Sequence, residues 1–459
     1  MTQTVELPLW LFVVVLLFAA VTFASHFLFP SVRWFLRRRL ERAVSRLNER
    51  LTVKIEPFRL LRRQDMIQRI IYDPQVTQAI VEYAAEHGVR EDVAFERARR
   101  YAREIVPSFS AFTYFGFGIR AARWLATSLY DVRTGEMNDA LLRDLPEGST
   151  VIFVMNHRSN MDYVLVTYLA ARASALSYAV GEWARVWPLS RLIKSMGAYF
   201  IRRRSRGQLY RKVLARYVHM ATAGGVTQAI FPEGGLSLDG RLAPPKMGLL
   251  SYVLDAHLET GREVLFVPVA INYDRVLEDR VLTAAGEAGT RRFQARISVI
   301  LRFILSKLWQ RVTGRFHRFG AAAVVFGAPI RLSDYVHVPD ARLLATDLLD
   351  KVSGVMPVLF VPLLARVLLN ATGPLDTDAL KEAVTEEIAQ ARTTVMASAE
   401  AIEPALERAR AALLERKLIR EAPEGIVAVP EERGLLQYYA NSIAHFFADA
   451  ADDAAIAGS

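Results

Sequence analysis

The 459-residue sequence contains no cysteine. Disulfide bonds, zinc–thiolate sites and a cysteine nucleophile are therefore excluded, and the composition is typical of a reducing compartment. Histidine and carboxylate residues form no cluster at metal-ligand spacing either, so we expect neither a metal ion nor a cofactor. A chain of this length exceeds one ordinary domain and can bury a large core.

Acidic residues are outnumbered by basic ones, with 48 Asp and Glu against 58 Lys and Arg, which gives a formal net charge of +10. This balance predicts an acidic partner, such as nucleic acid, anionic lipid or an acidic protein. Because 52% of the residues are hydrophobic and the basic residues flank apolar segments, the sequence favours membrane lipids and we do not expect nucleic acid.

One stretch, Arg291–Phe319, lacks Asp and Glu entirely, and its arginines and lysine surround isoleucine, leucine, phenylalanine and tryptophan residues. This pattern predicts a basic amphipathic helix that lies in an anionic membrane interface. Docking of an acidic partner is the alternative that the pattern leaves open.

Charged residues are also absent from Leu7–Phe29, an apolar run of 23 residues that arginines follow. This length spans a bilayer core of about 30 Å. We therefore predict a transmembrane anchor with a basic flank over residues 1–40. The positive-inside rule then places the main body in the cytoplasm, most simply at a bacterial inner membrane, with an endomembrane as the alternative. A cleaved signal peptide is disfavoured because no basic region precedes the run.

The rest of the sequence divides into three regions. Residues 41–135 predict helices, residues 136–335 alternate short apolar strands with amphipathic helices, and residues 336–459 predict mostly helices. The alternation indicates an α/β fold with a mostly parallel sheet flanked by helices. The predicted strands are Val151–Met155, Ala198–Arg202, Val226–Phe231, Val264–Asn272 and Ala321–Phe326, and the predicted helices between them include Gln208–Ala223 and Gly248–Leu258.

Two apolar segments lie outside the alternating region. Ser108–Tyr130 is rich in aromatic residues, and we predict a buried helix there, with membrane contact as the alternative. Val355–Leu369 is too short and too broken by proline to span a bilayer, so we predict a core or interfacial segment.

The first candidate site follows the predicted strand Val151–Met155, where the sequence continues as Asn-His-Arg-Ser-Asn-Met-Asp-Tyr. His157 and Asp162 lie where this strand gives way to a helix, so their side chains can meet. A carboxylate that accepts from one imidazole nitrogen fixes the tautomer and makes the other nitrogen a better base. The spacing also occurs at His87 and Asp92, but there it lies in a charged helical stretch that we interpret as solvated surface.

Further polar groups follow other predicted strands. Arg202 and Arg203 lie near the end of the run Gly197–Arg204 and could hold a phosphate bidentately. A solvated run of charges would have the same sequence pattern. Phe-Pro-Glu-Gly-Gly follows the strand that ends near Phe231. Its glycines allow close backbone approach to a ligand and Glu233 could accept from substrate hydroxyls, with a plain Pro/Gly turn as the alternative.

Together these motifs resemble the glycerolipid acyltransferase superfamily, and most closely its glycerol-3-phosphate O-acyltransferase branch. The first block, Asn156–Tyr163, is similar to HRSxxDY. The tripeptides His-Arg-Ser and Glu-Gly-Gly favour glycerol 3-phosphate over lysophosphatidate as acceptor. Leu236 departs from the family pattern, which has arginine there. The matching segments are Asn156–Tyr163, Gly197–Arg203, Phe231–Gly235 with Ser237, Gly240, Arg241, Pro245, Lys246 and Gly248, Val267–Tyr273, and Tyr438–Ile443.

The resemblance implies a membrane-bound enzyme that transfers a fatty acyl group from acyl-CoA or acyl carrier protein to the 1-hydroxyl of glycerol 3-phosphate. The product would be lysophosphatidate, in the first step of phospholipid biosynthesis. It also implies an acyltransferase-type α/β domain, with His157 as general base oriented by Asp162. The implied substrate-binding residues are Arg158, Ser159, Arg202, Arg203, Glu233, Gly234, Gly235, Arg241 and Lys246. A lysolipid acyltransferase and a non-catalytic adaptor that binds acyl carriers are the alternatives.

Overall fold

The computed structural model describes residues 55–135, 148–170, 175–181, 189–202, 207–289, 318–335, 340–391 and 402–447, with a few isolated positions before residue 52. The chain forms two compact units, Met1–Ile55 and Glu56–Ser459. In the first unit the Asn48 side chain accepts from the backbone N–H of Ile55 at 2.8 Å and donates to its carbonyl at 3.3 Å. The predicted domain boundaries stay predictions.

The predicted N-terminal transmembrane helix is wrong. No helix in the described part of the chain is long and apolar enough to cross a membrane. Within Leu7–Phe29 the structure describes only positions 8, 10 and 13–17. The prediction rested on apolar composition, and composition alone does not ensure one continuous helix of the roughly 20 residues that a span requires.

The second unit is built on one mixed sheet. Its strands are β1 (Asp131–Thr134), β2 (Thr150–Met155), β3 (Ser177–Val180), β4 (Tyr199–Phe200), β5 (Gln228–Ile230), β6 (Val264–Tyr273), β7 (Ala321–Phe326) and β8 (Ile330–Arg331). They lie in the order β1-β7-β6-β2-β5-β3-β4, and β8 also pairs with β6. The predicted parallel pairing joins β2 to β6, but β7 and β8 run antiparallel to β6. The sheet is therefore mixed, with five parallel and two antiparallel pairs among the described strands.

Helices flank this sheet. Those that the structure describes are α1 (Arg63–Ile71), α2 (Pro74–His87), α3 (Glu91–Ile105), α4 (Ile119–Leu129), α5 (Met161–Leu169), α6 (Leu189–Ser195), α7 (Gln208–Ala223), α8 (Gly248–Thr260), α9 (Asp279–Glu287), α10 (Ala341–Gly354), α11 (Phe360–Asn370), α12 (Thr377–Gln390), α13 (Ile402–Glu415) and α14 (Arg433–Asn441). The sequence predicts α7 at both of its ends and α8 at its start. Most of Arg291–Phe319, where the basic amphipathic helix is predicted, lies outside the described residues.

β2 lies at the centre of the core. Every residue of β2 and of β6 is buried, because both are runs of β-branched and aromatic residues with sheet neighbours on each side. β2 pairs in parallel with β5 and β6, so that Val154 lies beside Ile230 and Pro268. The carboxyl ends of these strands therefore meet at one edge of the sheet, where ligands bind in folds of this type.

Several elements escape the sequence prediction. β1, β3 and β8 are strands of two to four residues, too short to give a clear alternation of polar and apolar positions. The C-terminal region, predicted to be mostly helical, contains an antiparallel hairpin of β9 (Ile419–Ala422) and β10 (Gly425–Ala428). The predicted core segment near Val355–Leu369 is confirmed, because most of α11 is buried.

The aromatic segment Ser108–Tyr130 differs from the buried helix that the sequence predicts. It forms a π-helix over Phe112–Gly118 followed by α4. One face is buried, but Phe112, Phe117 and Trp124 are 82%, 56% and 48% exposed. Counting apolar residues does not show which face of the segment is buried, because aromatic residues lie on both faces.

Candidate active site

His157 follows β2, and Asp162 lies in the first turn of α5. The Nδ1 atom of His157 lies 2.9 Å from an oxygen of Asp162, and both side chains are almost fully buried. The strand ends, five residues (156–160) form the turn, and the helix brings the carboxylate back to the imidazole. The structure thus brings together the two residues that the sequence selects as a catalytic pair.

Asp162 is held from both of its oxygens. Oδ2 also accepts from the backbone N–H groups of Arg158 at 2.8 Å and Ser159 at 3.0 Å, while Oδ1 accepts from the Tyr273 hydroxyl at 2.5 Å. Burial, and then the charge of Asp162, raises the pKa of Tyr273 well above its ordinary value, so that this hydroxyl keeps its proton and donates. These donors fix the orientation of the carboxylate that faces His157.

Glu233 joins the loop after β5 (residues 231–247) to the loop between β2 and α5 (residues 156–160), which we call the catalytic loop. Its two carboxylate oxygens accept from the backbone N–H groups of His157 at 2.7 Å and Ala243 at 2.8 Å. Burial raises the pKa of Glu233 to about 7, an effect that these two hydrogen bonds oppose. In return the backbone N–H of Ser237 donates to the His157 carbonyl at 2.9 Å. Both oxygens of Glu233 therefore bind the protein backbone.

Two predicted cations lie on the same loop after β5. Arg241 and Lys246 are exposed. Gly234 has a φ of +65°, and a Cβ atom built on it would lie 2.7 Å from Cδ and 3.2 Å from Nζ of Lys246. The lysine side chain therefore passes directly over this glycine, next to Glu233, and places a positive charge beside the catalytic loop. Gly235 is buried in the same turn.

Arg158 does not face solvent. Only 2% of it is exposed. Its Nη1 donates to the Gly240 carbonyl at 3.1 Å, and its guanidinium lies 5.0 Å from the centre of the Tyr438 ring. In this structure Arg158 thus ties the catalytic loop to the loop after β5 and to α14, and its predicted substrate contact stays a prediction.

The C-terminal helix α14 closes one side of the site. A Cβ atom built on Gly240, which has a φ of +90°, would lie 1.9 Å from the Tyr438 carbonyl oxygen. The Asn441 side chain donates to the Asp239 carbonyl at 2.8 Å. The tail motif is therefore packed against the loop after β5, and only glycine permits so close an approach of the two backbones.

Ser159 and Asn160 bind a carboxylate that the sequence analysis does not select. The Ser159 hydroxyl donates to Glu278 at 2.7 Å, and the Asn160 side chain donates to the same carboxylate at 3.0 Å. Ser159 also accepts from the backbone N–H of Met161 at 3.1 Å, at the start of α5. Ser159 therefore supports the turn between β2 and α5.

Arg202 pairs with a residue of the N-terminal helices. Its guanidinium makes two hydrogen bonds to Glu104 of α3, at 2.9 and 2.6 Å, and this bonding raises the pKa of Arg202. Its backbone N–H donates to the Tyr210 hydroxyl. Arg203 lies outside the described residues. The cation predicted to hold phosphate is thus engaged by a carboxylate in this structure.

The second His-x4-Asp spacing forms no pair. His87 is stacked on Tyr83 and lies 3.8 Å from Glu86, whereas Asp92 pairs with Arg90. Both side chains are largely exposed, in agreement with the interpretation of this stretch as solvated surface. Identical spacing therefore gives a buried pair only where a strand precedes it.

Four residues that contact the site are not identified from the sequence: Tyr273, Glu278, Glu104 and Tyr438. Tyr273 and Tyr438 lie inside recognised motifs, which is a signal that could have selected them. Glu104 and Glu278 have no such signal, since each reaches the site from a distant part of the chain. Among the described residues no three His, Asp or Glu side chains come together in a way that could hold a metal ion.

Two protein-family models match the chain. One, described as Acyltransferase, matches residues 138–272, and one described as Glycerol-3-phosphate acyltransferase C-terminal region matches residues 308–457. The first match contains the catalytic loop and the loop after β5. The second contains α14, which packs against them.

Curated relatives agree with these matches. The chain is 33% identical over 280 residues to a glycerol-3-phosphate acyltransferase of Ectopseudomonas mendocina. The matched region is 60% of this chain and 32% of that protein. It is 30% identical over 287 residues to the protein of that name from Pseudomonas syringae pv. tomato, with 61% and 33% covered. The chain thus spans about a third of the length of the curated relatives it matches.

Solved structures are also similar, among them the crystal structure of the 1-acyl-sn-glycerophosphate (LPA) acyltransferase PlsC from Thermotoga maritima. It covers 61% of this chain and 93% of its own, with 20% sequence identity and a TM-score of 0.32. A likeness of this strength supports no conclusion about the present chain.

Proposed function

Because this chain belongs to the glycerol-3-phosphate O-acyltransferase branch of the acyltransferase superfamily, we propose that it transfers a fatty acyl group from a thioester to the 1-hydroxyl of glycerol 3-phosphate. The observation that carries the proposal is the buried contact between His157 and Asp162, with Glu233 bonded to the backbone of the same histidine. The reaction would supply lysophosphatidate as the first step of phospholipid biosynthesis.

His157 is the general base of the proposed mechanism. Asp162 faces Nδ1, so Nε2, on the other side of the ring, takes the proton from the attacking hydroxyl. The new C–O bond forms at the thioester carbonyl, the C–S bond breaks, and the proton passes to the departing thiolate. Asp162 stabilises the imidazolium between these steps, and a positioned base of this kind typically contributes about 10²–10⁴-fold to the rate.

Glu233 positions the base in this proposal. Both of its oxygens accept backbone N–H groups, which supports a role in holding the catalytic loop rather than in binding glycerol hydroxyls. The backbone at Gly234 and Gly235 then borders the acceptor. Arg158 and Ser159 support the same loop through the contacts described above.

The phosphate of the acceptor is assigned first to Lys246 and Arg241. Lys246 crosses Gly234 beside the catalytic loop, and both side chains are exposed and cationic. Arg202 and Arg203 act in support, and for Arg202 this requires that phosphate compete with Glu104. Leu236, where the family has arginine, makes these remaining cations more important.

We place the enzyme at a membrane surface, with its catalytic unit on the cytoplasmic side of a bacterial inner membrane. The exposed aromatic residues Phe112, Phe117 and Trp124 support this assignment, together with the exposed cations Arg120 and Arg123 on the same helical segment. Aromatic rings favour the interfacial region of a bilayer, and arginines favour anionic head groups. Acyl-CoA and acyl carrier protein both stay open as donors.

The test is acyl transfer with glycerol 3-phosphate or lysophosphatidate as acceptor, each given acyl-CoA or acyl carrier protein thioester. We expect lysophosphatidate from glycerol 3-phosphate, and turnover lowered by His157→Ala by about 10²–10⁴-fold. The matched control is His87→Ala, which changes the other histidine with the same spacing. Phosphatidate formed only from lysophosphatidate would overturn the acceptor, and full activity in His157→Ala would overturn the base.

A further inference from the structure

A cleft lies beside the catalytic loop, outside the pair and the loop after β5. It has a volume of about 260 Å³ and is lined by Arg275, Leu277, Asp279, Arg280, Val281, Glu415 and Arg416. The lining comes from the loop between β6 and α9, from α9 itself and from the end of α13. Three guanidinium groups thus border one opening, which is a composition suited to an anion.

One of the two carboxylates that line the cleft, Asp279, is already paired. Arg416 donates to Asp279 at 2.6 Å and to the Tyr439 hydroxyl at 3.0 Å. Arg280 donates to both oxygens of Glu432, at 3.0 and 3.1 Å, outside the cleft. These contacts leave Arg275 without an ion pair among the described residues, since Asp279 and Glu415 attract it only from beyond ion-pair distance.

Arg275 is half-buried and rests on the Phe319 ring, with its guanidinium 4.5 Å from the ring centre. Among the described residues, no carboxylate lies within ion-pair distance of it. Burial, and then repulsion from Arg416, lowers the pKa of Arg275. A partly desolvated cation next to a second cation is unfavourable by itself, and a bound anion would relieve both costs.

The cleft shares a loop with the catalytic centre. Glu278 lies between the cleft residues Leu277 and Asp279, and its carboxylate accepts from Ser159 and Asn160 of the catalytic loop. A ligand in the cleft is therefore separated from that loop by one side chain. Leu277 and the exposed Val281 add an apolar border to the arginines.

We propose that this cleft binds a phosphate group of a substrate, with Arg275 as its main ligand. A guanidinium presents a planar fork of donors that matches phosphate oxygens. The apolar border favours the acyl donor, whose phosphopantetheine arm joins a phosphate to a less polar chain, over glycerol 3-phosphate. This assignment of a substrate rests on the function proposed above.

The test is direct binding of coenzyme A to the full chain, measured by calorimetry without acceptor, so that no turnover is needed. We expect Arg275→Gln to weaken binding about tenfold or more, since it removes a charge-assisted phosphate contact. Arg275→Lys, which keeps the charge, should retain part of the affinity. Pantetheine, which has no phosphate, should bind equally to all variants.

Arg69→Gln is the matched control, because Arg69 is an exposed arginine of α1 far from these elements in sequence. Far-ultraviolet circular dichroism and thermal melting check that each variant is folded. Arg280→Gln, on the exposed border of the cleft, gives a second variant that does not disturb a half-buried residue, and it should weaken coenzyme A binding by a smaller factor.

The outcomes separate the possible sources of the phosphate. If coenzyme A binding is unchanged but the KM for glycerol 3-phosphate rises in Arg275→Gln, the cleft binds the phosphate of the acceptor. If neither quantity changes, the proposal is overturned. Loss of coenzyme A affinity in a chain that acylates no acceptor would keep the cleft and overturn the proposed function.

Discussion

The hydroxyl of Tyr273 offers a sharp test of how Asp162 is held. Tyr273→Phe removes one oxygen and leaves the aromatic ring in a fully buried site. It deletes the 2.5 Å hydrogen bond to Oδ1 of Asp162, while Oδ2 keeps its contacts with His157, Arg158 and Ser159. The substitution therefore changes the support of the carboxylate without removing the catalytic pair.

The expected magnitude follows from the loss of a buried hydrogen bond to a charged group, about 1.5–3 kcal/mol. The free energy of unfolding should fall by about this amount. Because proton transfer to His157 in the proposed mechanism creates positive charge beside Asp162, a carboxylate that can turn away would stabilise the transition state less. We expect kcat to fall about tenfold or more, since 1.36 kcal/mol corresponds to a factor of ten, with little change in KM.

The assay is steady-state acyl transfer to glycerol 3-phosphate over a range of pH. Since the pKa of Tyr273 is raised well above its ordinary value, its hydroxyl is protonated throughout, and the ratio of the two kcat values should not vary between about pH 6 and pH 9. The control is Tyr335→Phe, which removes a 2.6 Å hydrogen bond to Asp347 away from the site. Unchanged kcat, or an equal fall in the control, would refute the reasoning.

Three further substitutions test other contacts. Gly240→Ala should destabilise the protein by about 1–3 kcal/mol more than Gly148→Ala, because both glycines have positive φ (+90° and +86°) but only the first meets a neighbouring backbone; chemical denaturation measures the difference, and equal losses would contradict it. Burial raises the pKa of Glu233 from 4.5 to about 7, so its contribution to stability is complete below about pH 4.5 and is lost as the pH rises through 7. Relative to Glu233→Gln, the wild type should therefore lose about 3 kcal/mol of unfolding free energy across this range. A difference in unfolding free energy between the two proteins that is the same at every pH would count against the shift. Arg202→Ala should lower stability by about 1 kcal/mol, because the pair with Glu104 is partly exposed, and adding Glu104→Ala should recover part of the loss; unchanged stability with a raised KM for glycerol 3-phosphate would instead identify Arg202 as a phosphate ligand.

Predictions from the sequence succeed where one short segment contains all the information. Val151–Asp162 holds a buried strand, a polar turn and the start of a helix within twelve residues, and strand and helix geometry alone bring His157 to Asp162. The long helix α7 is likewise predictable, since its apolar spacing repeats over several turns. The transmembrane prediction failed because it used composition without any such local geometry.

The sequence does not reveal partners that come from a distant part of the chain. Only the structure shows that α3 brings Glu104 to Arg202 and that α14 covers Arg158. In each case the charge was recognised but its partner was not. A buried or half-buried cation takes whichever carboxylate, carbonyl or ring the fold places beside it.

The sequence by itself thus determined the contact between His157 and Asp162, the central strands and the order of the motifs, because each depends on residues near one another in the chain. Only the tertiary structure decided which cations are already engaged, how Tyr273 and Glu278 support the catalytic loop, and where the arginine-lined cleft lies. These depend on β6, α9, α13 and α14 meeting at one end of the sheet, and the spacing of residues along the chain carries no information about that meeting.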